Sequence, residues 1–251
     1  MNNTAPQQNP VALVTGASRR IGAAIANRFH EAGYKLIVHY NHSAADADRL
    51  CEQLNQIRPN SCLLTQANLS NDKDLQKISS LVSSIGRLDV LVNNASSFYP
   101  TPLDKLTEAQ WDNLTGSNLK GPFFLAKILA DFLQESRGSI INIADADARQ
   151  TLKNYPAYSI AKAGNIAMTK ALALELAPNV RVNSVAPGAI LWPEHDVEYE
   201  LEKKKSIIQE NPLNRLGTVT EIAETVFFLA TKATYMTGQT IAVDGGGSTT
   251  L

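Results

Sequence analysis

Seven short apolar runs, separated by longer amphipathic stretches, recur along this 251-residue chain. The runs lie at 11–14, 35–40, 62–66, 88–93, 139–144, 181–185 and 240–243 and read as strands. The stretches at 20–32, 44–57, 72–85, 119–135, 157–176 and 219–231 read as helices. Strands that are nearly continuous in apolar residues need cover on both faces, and alternation with helices lays them parallel through right-handed crossovers. The expected fold class is therefore α/β, a doubly wound, parallel, seven-stranded sheet flanked by helices on both faces. No repeat, low-complexity tract or linker divides the chain, so 11–251 reads as one domain behind a polar lead-in at 1–10 that is expected to be disordered.

Charge narrows the function classes. Lys and Arg number 23 against 24 Asp and Glu, for a net charge of -1, which argues against a nucleic-acid or membrane-surface partner held by bulk electrostatics. Cys51 and Cys62 lack metal-ligand spacing and read as reduced thiols of a cytoplasmic protein. The lead-in has no apolar core of a signal peptide, and no run reaches membrane-spanning length.

The chemistry concentrates in three residues. Tyr158 and Lys162 stand four apart, one turn along the same helical face, where an ammonium favours the phenolate and brings the tyrosine proton within catalytic reach. Asp145 closes the apolar run at 139–144, so its carboxyl is expected in a cleft at a strand end. A metal held by Asp145 and Asp147 is not expected, since no His or Cys lies close in sequence. Taken alone, Asp145 also reads as the cap of a turn.

A second centre follows the first strand. Gly16 and Gly22, in Thr15-Gly-Ala-Ser-Arg-Arg-Ile-Gly22, permit a tight turn into a helix whose N-terminus offers free N–H groups to a pyrophosphate, as in Rossmann-type folds. A structural turn glycine is the plainer account of Gly22. An NAD-binder places a carboxylate at the end of the second strand, but here that end reads His39-Tyr40-Asn41-His42-Ser43. Arg20, His42 and Ser43 would suit a 2′-phosphate, which points to NADPH. The long segment at 187–218 reads equally as a substrate-covering lid or as a variable surface loop.

These motifs, with Asn93-Asn94-Ala95, Asn118, Pro187-Gly188 and Val243-Asp244-Gly245-Gly246, resemble the short-chain dehydrogenase/reductase family over nearly the whole chain. Asn93 to Leu103, His39-Tyr40 with Ser43-Ala44-Ala45, and Asp145 in place of the usual serine resemble its pteridine reductases, including a branch acting on dihydromonapterin or dihydrofolate. The resemblance implies reduction of a pterin or folate C=N by NADPH. It assigns Tyr158, Lys162, Asp145 and Asn118 to catalysis, with Asn118 keeping a water relay behind Lys162 through a helix kink. Cofactor contacts fall to Gly16, Ser18, Arg19, Arg20, Ile21, Gly22, His39, Tyr40, Asn41, His42, Ser43, Asn68, Leu69, Asn94, Ala95, Ser96, Pro187 and Gly188, besides Tyr158 and Lys162. Substrate contacts fall to Arg20, Ser96, Phe98, Asp145, Tyr158, Leu191 and Trp192, with Phe98 stacking on the pterin.

Departures are Asn68 in place of an aspartate near the adenine, no threonine soon after Gly188, and His42 where an arginine would grip a 2′-phosphate more firmly. The resemblance further implies a homotetramer, with the helices near Leu119 and Ala157 at one interface and the C-terminal region at another. The competing readings are a 3-oxoacyl-carrier-protein reductase or other carbonyl reductase of the same family, and a catalytically silent cofactor-binding scaffold.

Overall fold

The computed structural model describes residues 9–146, 151–190, 206, 208, 209 and 211–249. Strands β1 (Val11–Val14), β2 (Lys35–Tyr40), β3 (Cys62–Gln66), β4 (Val90–Asn93), β5 (Ser139–Ile143), β6 (Arg181–Pro187) and β7 (Thr240–Val243) form one sheet in the order β3-β2-β1-β4-β5-β6-β7. Every neighbouring pair is parallel. This is the expected doubly wound Rossmann-type architecture in a single domain.

Alternate residues of each strand feed the two faces. Ala12 and Val14 of β1, with Leu36 and Val38 of β2, pack with Ile25 and Phe29 of α1 (Arg20–Glu31) and with Val226 and Leu229 near the other end of the chain. Val11, Leu13 and Ile37 pack the opposite face with Ile78 and Val82 of α3 (Asp72–Ile85), below α2 (Ala44–Ile57) in chain order. Apolar residues on both sides of a strand are what force this two-layer cover.

The largest difference from expectation lies at 119–135, read from sequence as one helix. The chain is already helical from α4 (Glu108–Thr115), passes through a π turn at Gly116–Lys120, and continues as α5 (Gly121–Ile128) and α6 (Ala130–Ser136). The start signal was the capping box Thr107-Glu108-Ala109-Gln110, in which Thr107 and Gln110 bond each other's backbone. Close packing explains the glycines: a Cβ on Gly116 would stand 2.3 Å from Ser70 Oγ, and one on Gly121 2.7 Å from the Leu69 carbonyl oxygen. Here the helix crosses the loop after β3.

Two further α-helices are α7 (Pro156–Glu175), opened by proline in its first turn, and α8 (Val219–Thr231), opened by a second capping box from Thr218 and Glu221. Strand β6 runs two residues past the expected 181–185 and pairs Pro187 with Val243. The lead-in at 1–8, Asp147, Leu191, Trp192 and most of the 187–218 segment lie outside the described residues. Among the described residues no helix is long and apolar enough to cross a membrane.

Candidate functional site

Strand β1 lies between β2 and β4, so the crossovers leave it in opposite directions and a crevice opens at the carboxyl ends of β1 and β4. Side chains knit that opening together. Thr15 Oγ1 accepts from the amides of Asn94 (2.9 Å) and Ala95 (3.0 Å), while Asn94 Nδ2 donates to the carbonyls of Thr15 (2.8 Å) and Gly16 (2.9 Å). Gly16 has φ +60°, and a Cβ there would stand 2.8 Å from Ala95 Cα; on Gly22 it would stand 2.2 Å from the Gly16 carbonyl oxygen. Both glycines are thus demanded by backbone approach.

Beneath the turn lies His39, buried, with Nδ1 accepting from the Gly16 amide at 3.1 Å and Nε2 2.9 Å from the Ala67 carbonyl. The first contact needs a bare Nδ1 and the second an Nε2–H, so the ring is neutral and its tautomer fixed. Its side chain supports the turn and does not enter the crevice. On the turn itself Arg19 is exposed and Ser18, Arg20 and Ile21 are half-buried, with Ile21 packed against the core. Helix α1 starts after Arg19 with no side-chain cap and no acidic residue in its first turn.

At the far side of β2, Tyr40, Asn41, His42 and Ser43 are all at least partly exposed, with no carboxylate among them. Asn68, beyond β3, is exposed; its Oδ1 accepts from the Ser70 amide at 3.0 Å and its own amide donates to Asp74 Oδ2 at 2.8 Å. Leu69 is buried.

The second half of the site is set by β5, α7 and the π turn. Asp145 follows β5, and its Oδ2 accepts a hydrogen bond from the Tyr158 hydroxyl. Lys162, one turn on from Tyr158 along α7, is 3% exposed; its Nζ donates to the Ile143 carbonyl at 2.8 Å and sits 5.7 Å from the Tyr158 ring centre. Burial lowers the Lys162 pKa to about 8, with the Asp145 charge pulling it back up. Asn118 is buried in the π turn, where its Oδ1 accepts from Ser96 Oγ (2.7 Å) and its Nδ2 donates to the carbonyls of Ser97 and Leu114 (both 2.9 Å).

Phe98 is 48% exposed at the lip. Its ring stacks on Tyr155 at 4.7 Å and 8° and meets the edge of Tyr158 at 4.8 Å and 76°. A proton donor, a carboxylate, a buried ammonium and an aromatic platform therefore converge beside a dinucleotide-type crevice.

A family profile described as enoyl-(acyl carrier protein) reductase matches residues 16–248. A protein named pteridine reductase 1, from Leishmania tarentolae, is 40% identical over 285 aligned residues, covering 96% of this chain and 97% of its own. A 3-oxoacyl-(acyl-carrier-protein) reductase from Staphylococcus aureus is also 40% identical, over 94% of this chain and 96% of its own, and one from Synechocystis is 39% identical over the same shares. The chain belongs to the short-chain dehydrogenase/reductase family. It is an oxidoreductase, of a family whose reductases use a nicotinamide dinucleotide.

The residues present fit that cofactor. The uncapped first turn of α1 directs backbone N–H groups and the positive end of the helix dipole at the crevice, and that turn holds no acidic side chain to oppose a pyrophosphate. At the other end, Pro187 closes β6, and a Cβ on Gly188 would stand 2.6 Å from Asp244 Cβ. As a family member the chain shows two groups that sequence reasoning did not single out, Thr15 as the clasp of the turn and Tyr155 as the partner of Phe98. Tyr155 carried a signal, since it stands three residues before Tyr158 on a helical period.

Proposed function

We propose that this reductase is an NADPH-dependent pteridine reductase of the cytoplasm, reducing a C=N bond of an oxidised pterin or dihydropterin (biopterin, dihydrobiopterin, dihydromonapterin or dihydrofolate) to the tetrahydropterin level. The observation that carries it is the hydrogen bond from Tyr158 to Asp145. Reduction of a ketone asks only for a proton at oxygen, and a hydroxyl suffices to orient that oxygen. Reduction at C=N asks for a proton at a ring nitrogen, and a tyrosine joined to a carboxylate both supplies and relays one.

Phe98 and Tyr155 support the same reading, because an exposed flat ring at the lip, backed by a half-buried one, favours a planar heterocycle over a flexible acyl chain. NADPH, when bound, supplies the hydride. Lys162 holds its positive charge beside Tyr158, favouring the phenolate left after proton donation. A replacement proton taken from solvent reaches that phenolate through Asp145, which restores the Tyr158 hydroxyl for the next turnover. Arg20, His42 and Ser43, with no carboxylate among residues 39–43 at the end of β2, favour the 2′-phosphate. Arg20 has φ +55°, a left-handed setting that costs a non-glycine residue about 1 kcal/mol, which supports a role for its guanidinium in the crevice.

A second reading, a 3-oxoacyl thioester reductase, is favoured by relatives of equal similarity. Steady-state rates with NADPH on dihydrobiopterin, dihydromonapterin, dihydrofolate and an acetoacetyl thioester decide between them. The pteridine reading expects kcat/KM for one pterin to exceed that for the thioester at least tenfold, and the reverse ratio overturns it. The exposed Phe123 and Phe124 of α5 and Ile160 and Leu174 of α7 are the apolar surface that a homotetramer would cover. Sedimentation should show four copies; a monomer at micromolar concentration would contradict that.

A further inference from the structure

A ladder of buried amides crosses the molecule behind the site. Asn93 Nδ2 donates to Asn142 Oδ1 (2.8 Å), and Asn142 Nδ2 donates to Thr169 Oγ1 (2.9 Å). The Thr169 hydroxyl donates to the Asn165 carbonyl (2.9 Å), and Asn165 Nδ2 donates to the Asn118 carbonyl (3.1 Å). All five residues are 2% exposed or less, in a core where an unpaired polar group is costly. Two acceptors in the ladder nonetheless have no protein partner among the described residues, Asn93 Oδ1 and Asn165 Oδ1.

Two independent features single out Asn165. The first is the carbonyl it meets. In an α-helix that oxygen would accept from the residue four places on, but Pro122 has no amide hydrogen to give. The Asn165 amide serves it instead, bracing the π turn against α7. The second is its neighbour. Asn165 stands three residues after Lys162 on the same face of α7, and Lys162 spends one of its three N–H groups on Ile143. An unmatched acceptor thus lies one turn from an ammonium that has hydrogens to give, and one buried water with two or three polar partners is the usual link across such a gap.

We propose that Asn165 is a positioning residue for proton transfer by Tyr158 and Lys162. Its Nδ2 fixes the Asn118 carbonyl and with it the π turn, and its Oδ1, through one bound water, gives the Lys162 ammonium an acceptor. The proposal rests on the reductase reading only in taking Tyr158 and Lys162 as the proton-transfer pair, and it names no substrate.

The titratable groups facing Lys162 are Asp145 after β5 and Tyr158 on its own helix. On the elements packed against α7, Glu108 and Asp112 of α4 and Lys120 of the π turn are exposed. Arg181 of β6 is turned to the carbonyls of Leu229, Ala230 and Ala233. Removing the acceptor leaves the charged form of Lys162 less favoured, so its titration midpoint falls. A carboxylate at 165 raises it.

The test is ¹³C NMR of the full chain labelled at lysine Cε, with the Lys162 signal assigned from Lys162→Arg. The Asn165→Leu protein should show a midpoint lower than wild type by about half a pH unit or more, and Asn165→Asp a higher one. The alkaline limb of kcat should move in the same direction for whichever substrate is turned over, while KM for NADPH stays within about twofold. A Lys162 midpoint in Asn165→Leu equal to wild type, or both variants moving it the same way, overturns the proposal. Should Asn165→Leu fail to fold, Asn165→Asp decides alone, and an unmoved or lowered midpoint there overturns it. Shifted midpoints in a protein that reduces neither pterin nor thioester uphold Asn165 and count against the proposed function alone.

Discussion

His39 and Gly16 are joined through the imidazole, whose Nδ1 accepts the Gly16 amide hydrogen at 3.1 Å while Nε2 donates to the Ala67 carbonyl at 2.9 Å. One neutral ring thereby couples the phosphate-type turn to the loop that follows β3. Burial lowers the His39 pKa to about 4, against a smaller upward pull from the Ala67 bond and Asp74. The unfolded chain takes up this proton near its usual value while the native protein resists until about 4. Stability from this group is therefore present above pH 6.5 or so and is lost as pH falls through about 4, to the extent of roughly 3 kcal/mol. Urea denaturation from pH 7 to pH 4 should show this slope in the wild type and a flatter one in His39→Gln. Equal slopes would refute it.

Lys162 has the same sign at the other end of the pH scale. Its folded-state pKa, about 8, lies below the ordinary 10.5, so the buried ammonium is a penalty fully present below 8. Stability rises as pH climbs from about 8 towards 10.5 and the folded state sheds its proton first. Lys162→Met should exceed the wild type in stability at pH 7.5 by about 2 kcal/mol, with the gap closing at high pH. A constant gap across that range would mean that the lysine is not carrying this charge.

Tyr158→Phe removes the proton donor and keeps the ring edge against Phe98. We expect kcat on oxidised pterin to fall at least about 100-fold, while NADPH binding by fluorescence weakens by no more than a few-fold, as for the loss of one hydroxyl contact. Asp145→Ser should lower pterin turnover by roughly tenfold or more and spare thioester reduction. Full pterin activity in Asp145→Ser would remove the case for a carboxylate at the end of β5.

The choice of dinucleotide turns on the exposed end of β2. His42→Arg adds a charged fork and should raise the NADPH-to-NADH ratio of kcat/KM about tenfold. An unchanged ratio would place the 2′-group elsewhere. Gly22→Ala is expected to abolish dinucleotide binding, because its methyl group would stand 2.2 Å from the Gly16 carbonyl oxygen.

Periodicity made most of the fold legible. Helices α2, α3 and α8 begin and end where their apolar spacing predicts, and the sheet follows from strands apolar on both faces. The run from 108 to 136 was read as helical only from 119, because the short α4 starts at the capping box of Thr107 and Gln110, and the close packing that calls for Gly116 comes from the loop after β3, far off in sequence. The spacing of Asp145, Tyr158 and Lys162 forecast a shared site, and the structure brings Asp145 and Tyr158 into contact. Asn118 was expected at a helix start and instead lies within a continuous helical run, in its π turn. His39 stood in the right segment, but a strand pattern does not reveal that its ring turns inward. Asn165 was invisible, because one amide inside an apolar helix gains meaning only from the carbonyl opposite.

Arg20 carries one more consequence. The chain bends left-handed at a charged side chain with φ +55°, in a turn where glycine would adopt the same shape without strain. Heat resistance and catalytic fitness then pull in opposite directions at a single codon. A library selected only for survival at high temperature should accumulate glycine at position 20, and the survivors should be poor reductases.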